Sequence, residues 1–217
     1  MSKYLTEFIG TFFLVLTIGL SVLAPHGAGM IAPLAIGSVL MVLVYMGGHI
    51  SGAHYNPAIS LAMLIRGKIG VTDMCIYIIA QVIAAMAAAG VAHFIMGRPY
   101  IVPPADIADH YAKAMAVEIL YTFALALVIL NVATSKRTEG NSYYGLAIGF
   151  TITAAAFVGG GISGGAYNPA VGLGPAVFDA LTGGTSIKHV WLYIVGPCIG
   201  AALAAGVFRV QSPGAHA

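Results

Sequence analysis

Charged residues are scarce in this chain, 7% of its 217 residues, where an average soluble domain carries about 25%. A water-facing surface of domain size cannot be assembled from so few. No polar segment of domain length interrupts the apolar runs either, so a separate soluble domain is excluded. The net charge of +2 is small and the nine Lys and Arg residues are scattered, which excludes a nucleic-acid surface and leaves charge as a marker of topology. Cysteine is nearly missing. Cys75 and Cys198 both lie in apolar runs without CxxC spacing, so neither a metal nor a redox role is expected of them, and they say little about compartment.

What the chain has is length of apolar run. Hydrophobic residues make up 59% of it. Windows of about 20 apolar residues predict spans near Tyr4–Ala24, Ala32–Gly48, Thr72–Met96, Ala112–Thr134, Tyr143–Gly160 and Lys188–Phe208. Runs such as Cys75 to Met96 are apolar all round rather than alternating, so the spans are helices and not barrel strands. The first run starts after Lys3, carries Glu7, exceeds a signal-peptide core and shows no cleavage site, so it is expected to stay as a span. Two short segments, Pro57–Ile65 and Pro169–Asp179, cannot cross a bilayer and are expected to be re-entrant half-helices or surface turns. The fold class is thus an all-α membrane protein, one domain over 1–217, with six transmembrane helices and two half-helices. Six cations (Lys3, Arg66, Lys68, Lys136, Arg137, Arg209) fall on one side and three (Arg98, Lys113, Lys188) on the other. The positive-inside rule then puts both termini in the cytoplasm. Short loops lean toward a plasma or bacterial inner membrane.

The chain repeats itself. Leu34-Ala35-Ile36-Gly37 returns as Leu146-Ala147-Ile148-Gly149, and Ser51-Gly52 with Tyr55-Asn56-Pro57-Ala58 returns as Ser163-Gly164 with Tyr167-Asn168-Pro169-Ala170, each 112 positions later. Glu7 and Thr11 are echoed by Glu118 and Thr122, 111 positions later. Repeat one covers about 1–99 and repeat two about 110–210. Three spans per half is an odd number, so the second half runs inverted, related to the first by an axis in the membrane plane. The two leftover segments then approach each other from opposite faces, with their Asn-Pro-Ala starts meeting near the midplane.

Asn is among the best helix N-caps and Pro suits the first helical position, so Asn56-Pro57 and Asn168-Pro169 start helices. The approaches Gly47 to Gly52 and Gly159 to Gly165 are expected to carry extended backbone, which is tolerated at depth only beside a water-filled lumen. Two half-helices meeting head to head bring together two positive ends of roughly +0.5 charge each. Cations and protons are repelled there. The Asn56 and Asn168 amides can donate to a passing oxygen, so small neutral hydroxylated solutes and water are the expected cargo.

The doubled Asn-Pro-Ala, together with Gly48-His49-Ile50-Ser51-Gly52-Ala53-His54-Tyr55 before the first and the stretch from Ser163-Gly164 to Gly174-Pro175-Ala176 around the second, resembles the aquaporin and glycerol-facilitator family over nearly the whole chain. The resemblance implies a pore in every subunit and a homotetramer in the bilayer. It also implies that Glu7 and Glu118 accept hydrogen bonds from the adjacent Asn-Pro-Ala loops. By the family's spacing the outer selectivity filter falls at Ile36, Ala156, Gly165 and Val171. Most members have Arg where this chain has Val171, and water-selective ones add an aromatic ring and a His. A wide, apolar filter is expected here, unless another side chain or a loop refills the space. Positions that separate water channels from glycerol facilitators are split, with Gly172 in place of the facilitators' Asp, Tyr193 water-channel-like and Ile194 facilitator-like. Members without the filter Arg are similar to channels associated with metalloid hydroxides, which adds arsenite-like solutes.

His49 and His54 flank the first Gly-rich approach and are expected to pin the loop rather than line the lumen. Asp106, Asp109 and His110 follow Pro103-Pro104 in an outer loop and read as a solvated connector, not a metal site. His26, His93, His189 and His216 show no ligand spacing. Gln81, deep in the third span, is expected to bond neighbouring backbone. The small residues Ala84, Ala85, Ala88, Ala89 and Gly196, Gly200, Ala201, Ala204 permit close helix contact, within the subunit or between subunits. No HExxH and no acid pair at the break supports an enzyme, and no cofactor is called for. A secondary transporter is the rival, since inverted repeats with broken helices also build those.

Overall fold

The computed structural model describes residues 1–23 and 27–212. Ala24, at the edge of the first expected span, and His26 and His216 lie outside the described residues. Within them the chain forms α1 (Ser2–Val22), α2 (Ala32–Ser51), α3 (Pro57–Ile65), α4 (Val71–Met96), α5 (Tyr111–Thr134), α6 (Tyr144–Ser163), α7 (Pro169–Leu181) and α8 (Val190–Gln211). Six of these, α1, α2, α4, α5, α6 and α8, are long and apolar enough to cross a membrane. Large apolar side chains such as Leu5, Ile79, Ile83, Leu120 and Phe150 stay exposed on their outer faces, as a lipid-facing surface requires.

One expectation is corrected here. The approaches from Gly47 and Gly159 are not extended from their start, because α2 continues to Ser51 and α6 to Ser163. Each helix stops at a glycine in the left-handed region, Gly52 at φ 86 and Gly164 at φ 91, whose N–H reaches back to the carbonyl of Gly48 or Gly160. That closure suits glycine, which has no Cβ to clash. Gly47 and Gly159 serve packing instead: a Cβ at either would overlap the hydroxyl of Tyr55 or Tyr167.

The halves interlock. Each half-helix packs against the last long helix of the other half, α3 against α8 and α7 against α4. Between the halves, α2 crosses α6 at Gly37 and Gly149, where a Cβ on either residue would lie 2.5 Å from the other's carbonyl oxygen. The small-residue faces are used inside the subunit. Gly196 and Gly200 admit the α5 backbone around Ile119 and Phe123, and Gly174 lets α7 lie on Ala85 of α4. Without a hydrophobic drive between helices in lipid, this close approach is what holds them.

Three cations gather at one end of the bundle. Lys3 Nζ pairs with Asp73 at 2.8 Å, Arg66 stacks on the Phe208 ring at 5.2 Å, and Arg209 Nη2 donates to the Ile65 carbonyl at the end of α3 at 2.9 Å. The last contact sets a cation on the negative end of a half-helix dipole.

The α2–α6 crossing yields a test. Gly37→Ala should destabilise the detergent-solubilised protein by about 1–3 kcal/mol, the range for overpacking a close contact. Gly206→Ala, where a Cβ meets nothing within 4 Å, should leave the thermal unfolding midpoint unchanged or slightly raised. Equal midpoints for both variants would mean that the crossing tolerates a side chain.

Candidate functional site

Two buried carboxylates organise the centre. Glu7 Oε1 accepts from Ser51 Oγ at 2.7 Å and His54 N at 2.9 Å, and Oε2 accepts from Tyr55 N at 2.7 Å and Gln81 Nε2 at 2.8 Å. Glu118 does the same in the second half, with Ser163 Oγ at 2.7 Å, Ala166 N at 3.0 Å and Tyr167 N at 2.7 Å. A trans peptide holds its N–H and C=O antiparallel. With the N–H groups of residues 54, 55, 166 and 167 aimed at the carboxylates, the carbonyls of Ala53, His54, Gly165 and Ala166 point the other way. Those four residues line a central cavity.

Holding the loops this way needs left-handed backbone at Ala53 (φ 50), Tyr55 (φ 49), Gly165 (φ 65) and Tyr167 (φ 49). For the non-glycine residues that conformation costs roughly 1–2 kcal/mol each, which the buried bonds to Glu7 and Glu118 offset. The two tyrosines also tie the loops to the long helices, Tyr55 Oη to the Leu43 carbonyl at 3.0 Å and Tyr167 Oη to the Ala155 carbonyl at 2.8 Å. Tyr77 and Tyr193 donate to the carbonyls of Ser51 and Ser163 at the ends of α2 and α6.

The two asparagines sit where these loops meet. Asn56 Oδ1 accepts from Ala58 N and Asn168 Oδ1 from Ala170 N, both at 2.9 Å, so each caps its own half-helix. Their amide nitrogens cross over: Asn56 Nδ2 donates to the Tyr167 carbonyl and Asn168 Nδ2 to the Tyr55 carbonyl, each at 2.9 Å. An amide nitrogen has two hydrogens. One hydrogen of each therefore joins the halves, and the other is left for the cavity that both residues line. Pro57 and Pro169 take the first helical positions, and Ala58 and Ala170, both fully buried, follow.

The cavity is narrow, about 40 Å³, and its remaining wall is aliphatic, with Leu14, Ile18, Ile152 and Leu125 among its residues. At one end it meets a vestibule of about 770 Å³. Of the expected filter positions, Ile36, Gly165 and Val171 line the cavity. Ala156 does not: it is partly exposed on α6, one turn beyond Ile152. Gly172 lies against Tyr193, whose ring and Cβ fill the space a side chain there would need.

The histidines divide. His54 is buried, with Nδ1 3.0 Å from Ser60 Oγ, and it also lines the cavity. His49 departs from the expectation of a loop pin, since its side chain is exposed on the wall of the vestibule. Gln81 departs too. Its amide bonds the side chains of Glu7 and Ser60 rather than backbone. In the outer loop, His110 Nε2 lies 3.0 Å from the Ile162 carbonyl, and no cluster of three or more metal-ligating side chains occurs among the described residues. Ser51, Tyr55, Ser163 and Tyr167 were visible in the repeated motif, but nothing in the sequence told which way their hydroxyls point.

Comparison with known proteins agrees with this geometry. The profile of the family described as "Major intrinsic protein" matches residues 1–208. The chain is 40% identical over 216 residues to "Glycerol uptake facilitator protein-like 6" of Lactiplantibacillus plantarum, covering 97% of this chain and 98% of that one. It is 35% identical over 222 residues to "Probable aquaporin NIP-type" of Nicotiana alata, covering 97% and 77%. Among solved structures, the aquaglyceroporin from Plasmodium falciparum superposes with a TM-score of 0.84 at 22% identity, over 99% of this chain and 98% of that one. The last likeness speaks for the fold alone.

The crossed amides generate a test. Asn56→Ala or Asn168→Ala removes a cap worth roughly 0.5–2 kcal/mol together with one bond between the halves. Either change should lower solute flux per incorporated protein, or the yield of folded protein. Wild-type flux and yield in both variants would contradict the role given to the two amides.

Proposed function

The chain belongs to the major intrinsic protein family and is a passive membrane channel for small solutes, not an enzyme, and from that premise we propose that its outer filter is wide and apolar and passes glycerol-like polyols and metalloid hydroxides such as arsenite as well as water. The observation that carries this reading is the cavity's lining, in which Ile36, Gly165 and Val171 stand at the filter positions and, among the described residues, no Asp, Glu, Lys or Arg appears. A solute entering a narrow passage must replace part of its hydration. Here the replacement comes from the carbonyls of two loops, two amides and the His54 ring, while the opposite wall accepts carbon. Neutral molecules with hydroxyls along one edge suit such a surface.

The positive ends of α3 and α7 face each other at the asparagines, so cations meet an unfavourable potential with no carboxylate among the lining residues. Both termini are proposed to be cytoplasmic, on the end of the bundle where Lys3, Arg66 and Arg209 gather, in a plasma or bacterial inner membrane. The resemblance supports a homotetramer with one pore per subunit.

A second reading has one observation in its favour. The loop between the halves lies on the second approach, with the Val102 carbonyl so close that a Cβ at Gly164 would overlap it, and Tyr100 and Val102 are buried. A loop seated there could refill the filter and leave a water-selective channel.

Flux into proteoliposomes, comparing water, glycerol, urea and arsenite, separates the two. The wide filter is expected to pass glycerol and arsenite as well as water, and Val171→Arg is expected to cut their flux by about tenfold, the effect of roughly 1.4 kcal/mol on a barrier, while water flux falls less. Wild-type protein that passes water but excludes the other three, with the Arg variant indistinguishable from it, would establish the refilled filter instead.

A further inference from the structure

The inverted repeat gives every residue of the outer filter a counterpart on the opposite side of the midplane. At the offset of 112, Ile36 pairs with Ile148, Ala156 with Val44, Gly165 with Ala53, and Val171 with Ile59. In a channel with Arg at the outer position the two ends would differ in charge. With Val171 there, they differ only in bulk, and in each unequal pair the larger side chain is on the inner side: Val against Ala, Ala against Gly, Ile against Val. One further pair has the same sense, since the counterpart of His54 is Ala166.

The geometry places three of these larger residues, Val44, Ala53 and His54, at the neck between two spaces, while Ile59 lines the narrow cavity alone. The narrow cavity and the wide vestibule share five lining residues, Val44, Ala53, His54, Ile129 and Ile148. Residues that face both spaces form the neck between them. All five are buried, with Ala53 7% and Val44 3% exposed. The His54 ring cannot swing aside freely because its Nδ1 is held near Ser60 Oγ at 3.0 Å, and Ser60 in turn receives Gln81 Nε2 at 3.3 Å. The second half has no such brace: Ser60 corresponds to Gly172.

We propose that the size limit on solutes is set at this inner neck, by Val44, Ala53, His54 and Ile148, and not at the outer filter positions. The proposal rests on the reading of the chain as a solute channel with an open, apolar outer filter. Small changes in bulk suffice for such a role, because one methylene in an apolar passage discriminates by about 10–200-fold. The ligand class selected is the linear polyol, whose carbon edge must slide past Val44 and Ile148 while its hydroxyls face the carbonyls of Ala53 and His54.

The test is a ladder of polyols, glycerol against four-carbon erythritol, in proteoliposomes with matched amounts of protein. Val44→Ala makes the neck match its outer counterpart and should raise the erythritol-to-glycerol flux ratio by about threefold or more. Ala53→Gly should act in the same direction. It also guards against a folding artefact, since Ala53 has φ 50 and glycine accepts that conformation without strain. Val171→Ile, which gives the cavity-lining outer position the bulk of its inner counterpart Ile59, should leave the erythritol-to-glycerol ratio within about twofold. Unchanged ratios in both inner variants, or a fall in Val171→Ile as large as the rise in Val44→Ala, would overturn the inner neck while wild-type glycerol flux still stands. Wild-type liposomes no more permeable to glycerol than empty ones would fell the solute-channel reading, and the proposal with it.

Discussion

Backbone that is not helical can lie at the depth of a bilayer only if its N–H groups find acceptors there, and in this protein Glu7 and Glu118 supply them. Four donors converge on the first carboxylate and three on the second. An unsatisfied amide in an apolar setting costs several kcal/mol, so the two loops could not hold their left-handed turns unaided. The lumen follows from that arrangement. Because the amide hydrogens face the carboxylates, the carbonyls face the cavity, and a passing solute meets acceptors it did not have to organise. The same constraint explains why acids are found inside spans of a chain that otherwise avoids charge.

The two halves use this device unequally. Glu7 has Gln81 as an additional donor, and Gln81 continues to Ser60 and His54, so the first loop is braced by a chain of side chains. In the second half Gly172 and Ala166 stand where Ser60 and His54 would be, and the Tyr193 side chain fills the space over Gly172. One entrance is thus built around a fixed His54 ring with Val44 and Ile148 beside it, the other around Gly165 with Ile36 and Val171. That difference in bulk and bracing, in a pore whose filter positions and their counterparts carry no charge, is why selection by size is assigned to the inner end.

Much of this was legible in the sequence because duplication makes weak signals strong. A single Asn-Pro-Ala is an ordinary helix start; two of them 112 positions apart, within spans whose odd number forces inversion, place two helix ends face to face. The start of α3 at Pro57 and of α7 at Pro169 could be read for the same reason. What escaped was whatever depends on direction rather than spacing. Ser51 and Tyr55 recur as Ser163 and Tyr167, yet only coordinates show their hydroxyls turned to carboxylates and helix carbonyls. His49 and His54 looked alike beside the Gly-rich approach, and the end of α2 between them separates an exposed ring from a buried one. The crossing of each Asn amide to the other half's tyrosine carbonyl has no local signature at all.

In the proposed function, two facing helix ends and two crossed amides let neutral solutes through while keeping charge out, without help from a filter Arg. The most direct measurement is the proton current across proteoliposomes under an imposed potential, taken on the same preparation whose glycerol flux is recorded. The account expects glycerol flux well above that of empty liposomes with a proton current no different from theirs. A proton current comparable with the glycerol flux would contradict it.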